Sequence, residues 1–226
     1  MLIAIPDVLD SADAITLGRH IAAAEWVDGN ATSGAGAALA KRNRQLPHGS
    51  ADATQAQARV LSALSLNALF LSAALPRRIV PPLFNRYGVG DCFGPHVDNA
   101  IRLDPASGEQ IRTDLSATLF LTDPADYDGG ELVIEGNFGK AAYKLPAGHM
   151  LLYPSSSLHH VTPVTRGERI CSFFWMQSLV RDGAMRESLF ELDQCVQVLS
   201  AERGLDDAQV LRLTSLYHNL IRQSAA

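Results

Sequence analysis

Leu115-Ser116-Ala117-Thr118-Leu119-Phe120-Leu121-Thr122 is the stretch on which the reading of the fold turns. Leu115, Ala117, Leu119 and Leu121 alternate with Ser116, Thr118, Phe120 and Thr122. Successive side chains of a strand point to opposite faces, and this alternation suits a strand buried on both of them. Shorter strand-like segments surround it at 132–134, 141–143, 150–153 and 170–176. Turns fall between them at Asp128-Gly129-Gly130 and Pro146-Ala147-Gly148, where glycine supplies the backbone freedom that a tight reversal needs. Many short strands over residues 79–179 indicate a sandwich or a jelly-roll barrel, and the double-stranded β-helix is the form expected here. Such a barrel has a mouth where side chains from distant strands converge. The Asp128-Gly129-Gly130-Glu131-Leu132 turn is fully explained by structure and is assigned no chemistry.

On either side of this core the period changes to that of helices. A strand at 2–5 leads into an amphipathic helix, N-capped by Asp10 or Ser11, with Ile15, Leu17 and Ile21 inward. Residues 26–46 show no clear period and read as an irregular strand pair or loop. A second helix is predicted over 54–71, with Val60, Leu64 and Leu71 among its apolar positions, and Pro76, Pro81 and Pro82 end the helical pattern. Beyond Arg181-Asp182-Gly183, Leu189, Leu192, Val196 and Leu199 mark one helical stripe that stops at Gly204. Asp206 is expected to cap a last helix with Leu213, Leu216, Leu220 and Ile221 inward. The expected class is therefore α+β with a mainly β core. Residues 1–77 form a helical and strand support region, 78–180 the jelly roll, and 181–226 a two-helix subdomain. That subdomain is read as packing on the barrel, with a homo-oligomer surface or partner docking as alternatives.

Composition limits the function. A net charge of −5 and a pI near 5.8 argue against unaided binding to nucleic acid or an anionic membrane. No apolar run approaches the length of a bilayer span. Pro6 and Asp7 follow Met1-Leu2-Ile3-Ala4-Ile5 at once with no basic segment, so no secretory signal is read there. Cys92, Cys171 and Cys195 are isolated thiols, which fits a reducing compartment and a cytoplasmic location. Cys92, four residues before His96, is read as structural rather than as a ligand.

His96-Val97-Asp98 carries the chemistry. In an extended segment, residues i and i+2 project from one face, so an imidazole and a carboxylate aim at a common point. A second imidazole would complete the two-His-one-carboxylate set of non-haem Fe(II) oxygenases, which leaves coordination positions open for a chelating 2-oxo acid and dioxygen. His159 and His160 compete for that role, because adjacent residues of a strand face opposite ways. Arg169 follows His159 by ten residues, and a strand, turn and strand over 161–176 would set the two side by side as hairpin neighbours. A guanidinium placed there forms a bidentate pair with a carboxylate, and this interval favours His159. His20, His48, His149 and His218 read as surface residues.

Further motifs extend the pattern: Tyr87-Gly88-Val89-Gly90-Asp91, Gly94-Pro95-His96-Val97-Asp98-Asn99-Ala100-Ile101-Arg102, Tyr153-Pro154-Ser155, Pro163-Val164-Thr165-Arg166-Gly167-Glu168-Arg169 and Phe174-Trp175-Met176-Gln177-Ser178. With these the chain resembles the bacterial PKHD-type hydroxylases, relatives of prolyl 4-hydroxylases, over nearly its whole length. The resemblance implies iron ligation by His96, Asp98 and His159, and 2-oxoglutarate binding by Arg169. It implies further that Tyr87 reaches the co-substrate, that L-ascorbate supports the reaction, and that the activity is linked to iron uptake. By period-two parity Cys171, Phe173 and Trp175 share the face of Arg169, so Trp175 is either a wall of the co-substrate pocket or a core residue. Asn99 and Arg102 are placed toward substrate by position alone. The expected enzyme couples 2-oxoglutarate decarboxylation to hydroxylation of a small-molecule or peptidyl substrate by O2. A non-catalytic iron sensor of the same fold is the rival reading. A zinc hydrolase is disfavoured, since no His-Glu-x-x-His spacing is present.

Overall fold

A computed structural model of the chain describes residues 1–32, 41–104, 107–136 and 139–225. Part of the irregular stretch expected over 26–46, namely 33–40, therefore lies outside the described residues. Strand β1 (Ile3–Ile5) and helix α1 (Ser11–Ala22) lead to three two-residue strands, β2 (Val27–Asp28), β3 (Lys41–Arg42) and β4 (Arg44–Gln45). Helices α2 (Ala51–Leu66) and α3 (Ala68–Ala74) follow. The barrel continues with β5 (Pro76–Ile79), β6 (Leu83–Tyr87), β7 (Cys92–His96), β8 (Ile101–Leu103), β9 (Gln110–Arg112) and β10 (Leu115–Phe120). After these come β11 (Asp128–Gly129), β12 (Leu132–Gly136), β13 (Gly139–Tyr143), β14 (Met150–Pro154), β15 (Leu158–Val161), β16 (Val164–Arg166) and β17 (Arg169–Ser178). Helices α4 (Gly183–Arg203) and α5 (Ala208–Ser224) end the chain.

The strands form two facing sheets. The larger runs β1-β14-β10-β17-β6-β4-β2, with β5 added along β17; the smaller runs β13-β12-β15-β7-β3. All their pairings are antiparallel. Strand β10 is buried at every position, as its alternation predicts. Leu115, Ala117 and Leu119 turn toward α1, α2 and α3, joining Leu17, Ile21, Val60, Leu64 and Phe70 in the largest core cluster. Ser116 and Thr118 turn the other way and line a cavity between the sheets. Strand β17 divides by the same parity. Ile170, Phe174 and Met176 join the helix-facing core, while Arg169, Cys171, Phe173 and Trp175 line the cavity. Each fully buried aliphatic or aromatic side chain contributes roughly 1.5–3 kcal/mol to the packing that holds this sheet rigid.

Helix limits follow local capping. Asp10 caps α1, its carboxylate accepting from Ala12 and Asp13 N–H at 2.8 and 3.4 Å. The single helix expected over 54–71 is instead two, starting earlier at Ala51 and interrupted at Asn67. The Asn67 side chain accepts from Phe70 N–H at 2.8 Å and so starts a new helix. The new direction points Phe70, Ala73 and Ala74 into the core and leaves Leu71 39% exposed. Helix α4 ends at Gly204, whose φ of +91° few other residues adopt. Asp207, rather than Asp206, caps α5. Leu220 and Ile221 pack with Tyr217 against Leu75, Val180 and Leu189, as expected of an inward stripe, but Leu216 is 48% exposed. Tyr217 takes the inward place assigned to it.

The hairpin expected over 161–176 does not form. Strand β16 pairs with β11, whereas β17 pairs with β10, β6 and β5, and β15 lies in the other sheet. Pro163, which has no N–H to continue the ladder, stands where the chain leaves the smaller sheet. His159 and Arg169 consequently sit on opposite walls of the cavity, and both line it.

Candidate metal centre

The smaller sheet brings the two imidazoles together. His96 on β7 and His159 on β15 are direct cross-strand partners, with ring centroids 4.2 Å apart. Cross-strand residues share a face, so the register itself aims both rings into the cavity. All three residues of the tripeptide line the cavity, but Val97 is 50% exposed, whereas His96 and Asp98 bring ligand atoms together, the i, i+2 relation expected for the tripeptide. One ligand atom from each of His96, Asp98 and His159 falls within 4.8 Å of the others. His159 Nε2 lies 3.8 Å from Asp98 Oδ2.

Backbone contacts select the ligating nitrogen on both rings. His96 Nδ1 lies 2.8 Å from the carbonyl of Gly94, and His159 Nδ1 lies 2.9 Å from that of Ser157. A carbonyl only accepts, so each Nδ1 carries the proton and each Nε2 presents its lone pair to the cavity. Burial, reinforced by the neighbouring His159, pulls the His96 imidazole down to about 4, so it is neutral when it must ligate. Phe93 stacks on His96 at 3.7 Å and Tyr153 meets His159 edge-on at 5.1 Å. Asp98 Oδ2 accepts from Ser116 Oγ at 2.6 Å, and Ser116 Oγ is 2.8 Å from Ser155 Oγ. Two imidazoles and one oriented carboxylate are the donor set that a divalent transition metal of intermediate hardness takes, and they fit Fe(II).

The larger sheet supplies the opposite wall. Arg169 is 1% exposed, and its Nη1 donates to Cys171 Sγ at 2.9 Å. Its Nε is buried without a hydrogen-bond partner, and among the described residues no carboxylate lies within ion-pair distance of it. The guanidinium carbon sits 5.2 Å from the rings of both Tyr87 and Phe120. Tyr87 is the cross-strand partner of Arg169, and burial pushes its phenol well above the usual range, so its hydroxyl stays protonated. A buried, unpaired guanidinium costs several kcal/mol unless an anion joins it.

Of the remaining sequence-predicted positions, Trp175 lines the cavity six residues along β17 from Arg169, under the guanidinium of Arg102 at 3.3 Å. Asn99 and Arg102 both line the cavity. His160 faces away from it, with Nδ1 3.6 Å from Glu135 Oε1. Cys92 is a free, half-buried thiol outside the His-Asp-His group. Three contributions have no signature in the sequence. Ser116 on β10 donates to Asp98 and is itself met by Ser155 from the turn after β14, both remote from Asp98 in the chain. Lys41 reaches the cavity from an edge strand. Gly130, assigned only a turn, has a φ of +65° and little room for a side chain: a Cβ would lie 3.1 Å from Arg169 Cδ and 3.0 Å from Val164 Cγ2, so these would have to give way. The turn therefore seats the arginine stem.

Comparison with known proteins agrees with this geometry. The profile of the 2OG-Fe(II) oxygenase superfamily matches residues 82–177, and that of the PKHD-type hydroxylase C-terminal domain matches 183–225. A PKHD-type hydroxylase of Methylobacillus flagellatus is 58% identical over 225 residues, covering 100% of this chain and 99% of its own. Among solved structures, a prolyl-4-hydroxylase of Pseudomonas putida aligns with a TM-score of 0.52 at 20% identity, over 78% of this chain and 92% of its own. HygX of Streptomyces hygroscopicus, solved with nickel and 2-oxoglutarate bound, aligns with a TM-score of 0.54 at 16% identity, over 78% and 82%. These two likenesses identify the fold.

Proposed function

The chain belongs to the PKHD-type hydroxylases, and on that premise we propose that it is an Fe(II)- and 2-oxoglutarate-dependent hydroxylase. In this reading His96, Asp98 and His159 hold the metal, and Arg169 binds the distal carboxylate of 2-oxoglutarate. The observation that carries it is the buried Arg169, which has no anion of its own and shares a cavity with a three-ligand set. Bound together there, Fe(II) and 2-oxoglutarate would supply the oxidising chemistry, in which O2 is consumed, the 2-oxo acid becomes succinate and CO2, and a C–H bond is hydroxylated.

The protein's own residues orient and enclose. The Gly94 and Ser157 carbonyls fix the tautomers of His96 and His159, so that neither ring must reorganise to ligate. Ser116 orients Asp98 by donating to it. The guanidinium of Arg169 anchors one end of the co-substrate, and that constraint points the chelating end at the metal. Tyr87, held protonated, offers a second donor beside it. Phe93, Tyr153 and Phe173 keep water from the reacting centre. Ascorbate support, a role in iron uptake and a reducing, cytoplasmic setting belong to the same proposal, and the described cysteines are all free thiols in keeping with that setting. A non-catalytic iron sensor would have no use for a buried cation at position 169.

The test is turnover. Protein loaded anaerobically with Fe(II), then given O2 and 2-oxoglutarate, should form succinate, and Asp98→Ala should reduce this to background. Equal succinate formation by the variant at ordinary iron concentration would falsify the ligand assignment. Mass spectrometry of cell extract incubated with active and Asp98→Ala protein should reveal a +16 product only with the former.

A further inference from the structure

The cavity holds more positive charge than the proposed metal and co-substrate can balance. Its lining carries three cations, Lys41, Arg102 and Arg169, against a single carboxylate, Asp98. If the preceding reading holds, the divalent metal and Asp98 leave one positive charge. Arg169 and the dianionic 2-oxoglutarate leave one negative charge, and the two cancel. Lys41, buried, and Arg102, half-buried, then remain unmatched.

Their placement separates them from the co-substrate end. Along β17, Arg169 is level with Tyr87, Cys171 with Phe120, Phe173 with Thr118, and Trp175 with Ser116. Ser116 is the residue bonded to Asp98, and Trp175 is its cross-strand partner. Arg169 lies six residues earlier on the same strand. Arg102 covers the Trp175 ring, with its guanidinium carbon 3.3 Å from the ring centroid. Stacking of this kind fixes the plane of the guanidinium and leaves its donor edge free for a planar or tetrahedral oxyanion. The Nε of Arg102 is buried without a hydrogen-bond partner.

Lys41 approaches from the other flank. It is 6% exposed, with Nζ 5.5 Å from the Phe93 ring and 5.9 Å from the Phe173 ring. Two of its three protons are taken by neutral acceptors, the Gly29 carbonyl at 2.7 Å and Gln45 Oε1 at 3.4 Å. Burial, and next the positive charge of Arg102, draw its ammonium down to about 8. The two cations therefore feel each other, and among the described residues neither has a carboxylate within ion-pair distance.

We propose that Lys41 and Arg102 form a substrate subsite separate from Arg169, and that the substrate of this hydroxylase carries an oxyanion, a carboxylate or a phosphate, which they bind. The inference rests on the preceding reading for the word substrate, while the anion site itself can be tested without turnover. Either ligand chemistry satisfies a stacked guanidinium and an ammonium, and the probes below distinguish them.

The experiment uses full-length protein in a Trp26→Phe background, so that fluorescence reports Trp175. Anaerobic, Fe(II)-loaded protein saturated with 2-oxoglutarate is titrated with N-acetylglycine, with its neutral amide and with inorganic phosphate. One of the two anions should perturb Trp175 and bind at least about tenfold more tightly than the amide, as loss of charge-assisted hydrogen bonds predicts. Preference for N-acetylglycine assigns a carboxylate substrate, and preference for phosphate a phosphorylated one. Arg102→Gln and Lys41→Met should each weaken that anion about tenfold and leave 2-oxoglutarate affinity within twofold. Arg102→Lys should retain part of the binding, and thermal melting of each variant checks that it is folded. Equal binding of amide and anions, or anion binding indifferent to both substitutions, overturns the proposal. So does an equal loss of 2-oxoglutarate affinity, which would assign the two cations to the co-substrate. Failure of 2-oxoglutarate to bind the wild-type protein would instead sink the dioxygenase reading, and the anion titration would still decide the subsite.

Discussion

The smaller and larger sheets face each other across one cavity but fix their functional side chains by different means. On the smaller sheet the geometry is local. His96 and His159 are locked by carbonyls two residues upstream, and the β7–β15 register brings them together. On the larger sheet Arg169 is held by packing from afar. Gly130 yields space for its stem, Tyr87 and Phe120 flank its head, and Cys171 takes one of its protons. The proposed metal wall is thus prepared by hydrogen bonds and the proposed anion wall by excluded volume. If so, the two walls should fail independently.

The largest effect is expected from Asp98→Ala. Loss of the only anionic ligand should weaken Fe(II) binding by more than about 100-fold, beyond what loss of an outer partner causes. Isothermal titration under anaerobic conditions measures this, and 2-oxoglutarate turnover should vanish with it. Arg169→Met comes next. Truncating one partner of a buried charge pair costs about 2–5 kcal/mol, so 2-oxoglutarate affinity should fall by roughly 30-fold or more while Fe(II) affinity is kept. Without co-substrate, the same variant should melt no lower than the parent, because an apolar side chain replaces an unmatched buried charge. A lower melting temperature would mean that the guanidinium is structural.

Much of this difference between walls explains what could be read from the chain. The i, i+2 relation of His96 and Asp98, the strand parity of 115–122 and the shared face of Arg169, Cys171, Phe173 and Trp175 are backbone periodicities. They survive in one dimension. The pairing of His159 with His96, the Ser116–Ser155 brace and the fit of Gly130 against Arg169 join residues remote in sequence, and no period announces them. The expected hairpin failed for a related reason. A ten-residue interval between His159 and Arg169 fits two strands of one sheet, but it also fits a crossing between two sheets after Pro163. Helix stripes were legible to within a residue or two at their caps, except where Asn67 redirected the chain.

Smaller effects sharpen the contrast. Ser116→Ala removes the donor to Asp98 and should weaken metal binding about tenfold with little change in 2-oxoglutarate affinity, a result readable in the same titrations. Gly130→Ala forces a side chain onto a φ of +65° and toward Arg169. It should destabilise the fold by about 1–2 kcal/mol in urea unfolding and weaken 2-oxoglutarate a few-fold, leaving the metal untouched. Leu216→Ser, on the exposed side of α5, should alter stability by no more than about 0.5 kcal/mol and change neither ligand.

In the proposed arrangement one cavity holds a metal on one wall and a carboxylate on the other. Sequential anaerobic calorimetry tests it most directly: Fe(II) into protein, then 2-oxoglutarate into the loaded protein, for the parent and Arg169→Met. The account predicts one equivalent of each for the parent, and unchanged Fe(II) binding with 2-oxoglutarate binding largely lost for the variant. Undiminished 2-oxoglutarate binding by Arg169→Met would contradict it.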